Sequence, residues 1–386
     1  MNEIEEKKQE SSDSSLIKGA KKQKRLRWID QGRGLVMFLL VFTITFPPED
    51  FRKKSVNIVM HFLFGHAGTT STYMTLFDVG AAAFIFVLGL SMAISFSRRT
   101  KEKGKLATLK HLLVRYVILA FLGILIIFVV YGGIYNDEKG VIWWDVIPAI
   151  AVAGLVSIPF LLIRSPKMRL IAGYGWLLLY QLLMLFAGLK TYAIDSVHGG
   201  IFGSIFAYAA CSIIATSLGD FMWSSDIQKD KKFRNMLLLG GINLIVGLLI
   251  SFIPGFEASK RQVSLTHIMI SIGITVLGLS VFWYLDEKMD KDITFLRAYG
   301  MNPFLIYILV LIPDTILIDV IGLYNANTDW LFCTIFMITY MTYTSVIALW
   351  LYKQRKRVTT LKAAIITVLV IIALALLLIF GLGFEL

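Results

Sequence analysis

Residues 73–97 read YMTLFDVGAAAFIFVLGLSMAISFS, an apolar segment longer than the roughly 20 residues a helix needs to cross a bilayer. It is apolar on every side, so it cannot lie as a surface helix with one wet face. Asp78 is its only charged residue. A carboxylate held at the bilayer centre costs about 2.5–3.5 kcal/mol on insertion scales, so its retention marks a structural or functional need. At ~1.5 Å per residue from Tyr73, Asp78 lies some 7–8 Å below the start of the segment, too deep to reach bulk water unaided.

Ten further apolar runs extend this reading to the whole chain, at about 28–47, 111–131, 141–163, 169–189, 200–222, 235–254, 265–285, 296–312, 330–352 and 361–383. The first is the weakest, because its uninterrupted part starts at Gly34 and stops at Pro47-Pro48, and the stretch 313–329 is open to a re-entrant reading. A mean hydropathy of +0.72 and 57% apolar residues agree. The expected fold is an all-α, polytopic integral membrane protein with about 11 transmembrane helices. Residues 1–27 are polar and charged and form a separate tail, read as disordered and cytoplasmic. Residues 28–386 form one transmembrane domain.

The net charge of +12 suggests nucleic acid until its distribution is examined. With alternating spans and a cytoplasmic N-terminus, 29 Lys and Arg fall in inner segments and 7 in outer ones. That asymmetry orients a multi-pass protein of the cell membrane, N-terminus cytoplasmic and C-terminus extracytoplasmic, and leaves no case for a nucleic-acid partner. The basic run Lys21–Arg27 suits anionic membrane lipids. The apolar run starts late and no small-residue cleavage site precedes it, so no signal peptide is expected. Cys211 and Cys333 sit mid-span as packing residues. Trp143, Trp144, Trp283 and Trp350 fall near span ends, where aromatic anchors gather. No HExxH, paired CxxC or Walker-type loop occurs, so no metal is expected and ATP-driven chemistry is unsupported.

Polar residues collect in four places. In Arg27-Trp28-Ile29-Asp30-Gln31-Gly32-Arg33-Gly34, Asp30 and Arg33 share a helix face, either as a structural ion pair or as a site for an anionic cytoplasmic ligand. The outer loop ending Gly65-His66-Ala67-Gly68 leads into Asp78. His66 is either an ordinary exposed loop residue or, oriented by that carboxylate, a general base near neutral pH. In Gly300-Met301-Asn302-Pro303 the proline removes a helical hydrogen bond, for packing or for function, and Asn302 puts an amide at the break. The fourth place is Asp195 to Gly200, with His198. His61, His111 and His267 are given structural roles.

The order of these pieces resembles the transmembrane acyltransferases typified by heparan-α-glucosaminide N-acetyltransferase and its bacterial relatives. Arg27 to Gly34 is similar to that family's opening R-x-x-x-D-x-x-R-G segment. His66-Ala67, Phe77-Asp78 and Phe84 to Met92 resemble its catalytic loop and second helix. Asp195 to Gly203 and Gly300 to Tyr307 resemble its later motifs, so the likeness covers about residues 25–352. It implies an enzyme, an acetyl-CoA-dependent acyltransferase. Such an enzyme moves an acetyl group from cytoplasmic acetyl-CoA, its co-substrate, to a sugar or amino-sugar acceptor outside. His66 would be the catalytic base or acetyl carrier, Asp78 would orient it, and Asn302 would donate to the thioester carbonyl. Asp30 and Arg33 would bind the donor, and a homodimer is compatible with this reading.

The sequence departs from the family at Val41–Pro48, which lacks the usual asparagine, and at Gly68, Thr69 and Thr70, which replace an aromatic residue and an asparagine. Two other readings therefore stand beside the enzyme. One is a transporter or flippase of a lipid-linked sugar or metabolite, and the other is a non-catalytic membrane partner.

Overall fold

A computed structural model describes residues 26–45, 74–131, 135–136, 141–315 and 330–358, with the pairs 361–362, 365–366 and 368–369. Residues 1–25, the first outer loop with His61 and His66, and most of 361–383 lie outside the described residues.

The chain builds helices whose ends follow local chemistry. Helix α1 is Arg27–Thr45, with Asp30 in its first turn beside the positive end of the helix dipole. A 3₁₀ turn, Phe77–Val79, leads into α2, Gly80–Lys103, which ends in a basic turn and at Gly104 with φ 81°. Helix α3, Lys105–Tyr131, precedes a two-residue antiparallel pair, β1 (Tyr135–Asn136) with β2 (Val141–Ile142). Asp145 caps α4, Val146–Phe160, and Ser165 with Pro166 opens α5, Pro166–Phe186. After the short α6, Leu189–Ile194, the Val197–Trp223 span is irregular at first. It runs through α7, Gly200–Gly203, and a π-turn, Ser204–Tyr208, into α8, Ala209–Trp223. Then follow α9, Lys229–Ile250, α10, Leu265–Glu287, α11, Thr294–Met301, α12, Pro303–Thr315, and α13, Trp330–Lys353.

Seven helices among the described residues are long and apolar enough to cross a membrane, or eight if α11 and α12, bent by 78°, make one broken span. The protein is an all-α, multi-pass membrane protein. These eight coincide with eight of the expected spans, whereas α1 with its early charges and the 15-residue α4 fall short of that measure. The expected total of eleven is therefore not reached among the described residues.

Burial orders the bundle. The Val197–Trp223 span is the most interior, with 78% of its apolar window buried, while α9 and the Thr334–Lys353 part of α13 are outermost at 22% each. Ile242, Ile245 and Leu249 of α9 are exposed, as a lipid-facing surface requires. Helices α2 and α8 cross closely because small residues meet: a Cβ on Gly89 would lie 2.6 Å from the Ser212 carbonyl oxygen. The one deeply buried arginine nearby, Arg169, is matched by Asp220 at 2.7 Å and by the carbonyls of Thr216 and Ile163.

Two expected aromatic anchors turn inward. Trp144 is buried and donates its indole N–H to Ser204 Oγ at 2.8 Å, and Trp283 is buried and stacks on Phe233. A partner for the indole N–H inside the bundle competes with the headgroup region for the ring. Trp350 remains exposed, as expected of an anchor.

The tightest crossing joins α1 to α11. A Cβ on Gly34 would lie 1.7 Å from the Leu296 carbonyl oxygen, and one on Gly300 would lie 1.9 Å from that of Asp30. Both obstacles are backbone and cannot rotate away. Gly300→Ala is expected to cost at least the ~1–3 kcal/mol of core overpacking. A lowered thermal midpoint and a smaller monodisperse yield in detergent would report it. A melt identical to that of the parent would show that the two helices can separate without penalty.

Candidate functional site

The close approach of α1 and α11 fixes a cavity at the end of the bundle where the basic termini of α2 and α13 gather. It has a volume of about 330 Å³, and its wall includes Asp30, Arg33, Arg98, Arg115, Asn302 and Arg357. Arg33 and Asp30 form the expected i,i+3 pair at 3.4 Å, but the guanidinium does more than that. It also donates to the Gly300 carbonyl at 3.1 Å and to Ser91 Oγ on α2. One side chain thus ties three helices together. Arg27 pairs with Asp286 and Asp290, and Gln31 donates to Asp292 at 3.0 Å, which anchors the start of α1 to the α10–α11 turn.

Four arginines and one aspartate face this cavity. Arg98 and Arg115 have no carboxylate partner among the ion pairs of the described residues. Converging guanidinium groups of this kind suit an anion, because they bind phosphate oxygens in pairs of parallel hydrogen bonds.

Asn302 lies in the same wall, at the break between α11 and α12. Its Nδ2 donates to the Lys356 carbonyl at 3.1 Å, and its Oδ1 accepts from the Val358 N–H at 2.8 Å. The amide therefore holds the chain that leaves α13.

Asp78 is at the opposite end. Thirteen residues of mostly α-helix separate it from Ser91, about 20 Å. It is fully buried and accepts from the Thr75 N–H at 2.8 Å and the Thr75 hydroxyl at 3.0 Å. Lys260, from the loop before α10, places its ammonium 3.7 Å from the same carboxylate. His267, fully buried on α10, makes a 2.9 Å hydrogen bond from Nε2 to the Asp78 carbonyl. Close by in the fold, Tyr307 of α12 donates to the Asp145 carboxylate at 2.9 Å. Burial pushes the Lys260 ammonium below the ordinary lysine range, and Asp78 and Asp145 pull it back up.

Between the two ends lies a narrow apolar pocket lined by Met37, Leu40, Gly80, Phe84, Ile147 and Tyr307, with Phe304 shared between it and the basic cavity. The basic cavity, this pocket and the Asp78 group therefore follow one another along α1, α2 and α12.

Of the residues singled out in the sequence, Asp30, Arg33 and Asn302 come together, Asp78 stands apart from them, and His66 lies outside the described residues. His198 is drawn into the bundle: it has left-handed backbone (φ 53°), is buried, and its Nδ1 is 3.2 Å from the Tyr208 hydroxyl. Nothing local marked Lys260, which is distant in the chain and ordinary in its own surroundings, and Tyr307 entered only as the last residue of the Gly300–Tyr307 motif, with no role of its own. The only hint was that Asp78 had to be matched by a cation or by donors.

No curated protein matches this chain. Residues 25–195, less than half of the chain, match the family model of the heparan-alpha-glucosaminide N-acetyltransferase catalytic domain. The match takes in Asp30, Arg33, Asp78 and Asp145, and ends before Lys260, His267 and Asn302. Over residues 25–195, then, this membrane protein is similar to the catalytic domain of heparan-alpha-glucosaminide N-acetyltransferases.

Proposed function

We propose that the protein is a membrane acyltransferase that takes acetyl from acetyl-CoA at its basic, cytoplasmic end and delivers it to a sugar or amino-sugar acceptor at the other. The observation that carries this reading is the cavity in which Arg33, Arg98, Arg115 and Arg357 surround a single carboxylate, Asp30. Coenzyme A is a polyanion with a long, uncharged arm. Its phosphates suit the arginines, and the arm suits the apolar pocket beyond them, pointing the thioester towards Asp78. About 20 Å of helix separates Ser91 from Asp78, a span of the order of an extended pantetheine arm.

At the outer end His66 is the base. It takes the proton from the acceptor amine or hydroxyl as that atom attacks the thioester carbonyl. The C–S bond then breaks, the thiolate leaves with coenzyme A, and the proton passes from His66 to it. In the two-step alternative, His66 itself attacks and carries the acetyl group before the acceptor takes it. Asp78 orients the imidazole, and Lys260 keeps a positive charge beside Asp78. The transporter reading would use the same charges but has no need of a base. The altered Thr43–Pro48 and Gly68–Thr72 segments leave the non-catalytic reading as the remaining rival.

With labelled acetyl-CoA and protein in liposomes, glucosamine and cell-envelope sugars serve as acceptors. His66→Ala is expected to remove transfer by two orders of magnitude or more, in line with the ~10²–10⁴-fold worth of a general base, while the protein stays inserted and folded. Retained turnover would take His66 out of the mechanism.

Lys260 gives a pH signature. Because its ammonium titrates below the ordinary lysine range, rising pH discharges it early, and transfer falls on the alkaline side. Lys260→Arg stays charged throughout and is expected to move that alkaline limb to higher pH, whereas Lys260→Met lowers transfer over the pH range in which Lys260 is charged and removes that limb. An alkaline limb that does not move in Lys260→Arg assigns the titration to another group.

A further inference from the structure

We propose that Asn302 is a positioning residue, a side-chain clamp that holds residues 356–358 as one wall of the basic cavity and so presents Arg357 to the phosphates of the donor. The proposal rests on the donor reading of that cavity given above.

The path of the chain after α13 requires such a holder. The helix ends with the Lys356 N–H bonded to the Leu351 carbonyl and the Arg355 N–H to the Tyr352 carbonyl, both at 3.0 Å. This is the paired bonding of a left-handed helix cap, and the left-handed residue is Arg355, at φ 52°. Glycine normally takes that place, because a Cβ there crowds the following carbonyl. An arginine in this conformation persists where surrounding contacts fix the chain. The cap turns the chain back over the basic end, and Lys356 lies over the Trp350 ring at 5.2 Å.

Asn302 receives the turned chain. It is buried, 4% exposed, and its amide bonds the carbonyl of residue 356 and the N–H of residue 358, as the edge of a neighbouring strand would. The break at Pro303 makes room for this. Asn302 leaves helical geometry at φ −132°, ψ 53°, so its side chain points away from the α11–α12 axis and across to the segment. Between the two clamped backbone groups sits Arg357, whose side chain lines the cavity with Arg33, Arg98 and Arg115. The clamp therefore adds a fourth cation to the cavity from an element that shares no helix with the other three.

The test is acetyl-CoA binding by the purified full chain in detergent, with Asn302→Ala, Arg357→Ala and the double variant. Each single variant is expected to weaken binding about tenfold. The double variant should be no weaker than the worse single, because Asn302 acts through Arg357. Equal binding by Asn302→Ala and the parent overturns the proposal, and so do additive losses. Arg357 is exposed, so Arg357→Ala tests the idea even if Asn302→Ala folds poorly. Hydrogen exchange at the Val358 amide reads the clamp without ligand. Faster exchange in Asn302→Ala supports it and unchanged protection overturns it. Should the folded parent fail to bind acetyl-CoA, the donor reading falls and Arg357's role falls with it, while Val358 exchange still decides the clamp.

Discussion

The backbone crossing of α1 and α11 is the constraint on which the basic half of this protein depends. At Gly34 and Gly300 the two helices come so close that each glycine faces a carbonyl oxygen of the other helix where a Cβ would stand. That contact brings the Gly300 carbonyl within reach of Arg33, and Arg33 in turn reaches Asp30 and Ser91. A guanidinium partly buried among helices needs acceptors, and here three elements supply them to its two terminal nitrogens. The cavity beside it is the space left when helices joined in this way diverge.

The break at Asn302-Pro303 follows from the same geometry. Proline cannot donate to the helix, so α11 and α12 part at 78°. The turned amide of Asn302 gathers the end of α13, and α12 then passes the apolar pocket, where Tyr307 reaches out to Asp145. One segment thus shapes the basic cavity at its start and the opposite polar group a turn and a half further on. Coupling of this kind explains why a short motif, Gly300 to Tyr307, spans two regions that differ so much in polarity.

Charge is handled differently at the two ends. Near the basic end, Asp290 and Asp292 pair with Arg27 and Arg297 in exposed or partly exposed positions, where each ion pair contributes little on its own, and the buried Asp286 takes a second bond from Arg27. At the other end Asp78 is wholly enclosed, and among the described residues Thr75 donates to it twice while Lys260 lies at a longer distance. Removing a cation from beside an enclosed carboxylate is costly, which is why Lys260 matters more than its place in a loop suggests.

Hydropathy alone determined that this is a polytopic helical membrane protein, because bilayer-length apolar runs have no other stable form. Spacing alone determined that Asp30 and Arg33 would meet, since residues three apart on a helix are neighbours. The depth of Asp78 showed that it needed a partner, but the identity of that partner was decided by the tertiary structure. Lys260 lies 182 residues away in the chain, and no local pattern connects the two. Likewise the direction of Trp144 and Trp283, and the grip of Asn302 on residues 356–358, depend on which helices become neighbours. Periodicity and hydropathy are local properties that survive in the unfolded chain, whereas pairings between distant residues exist only after the helices have packed.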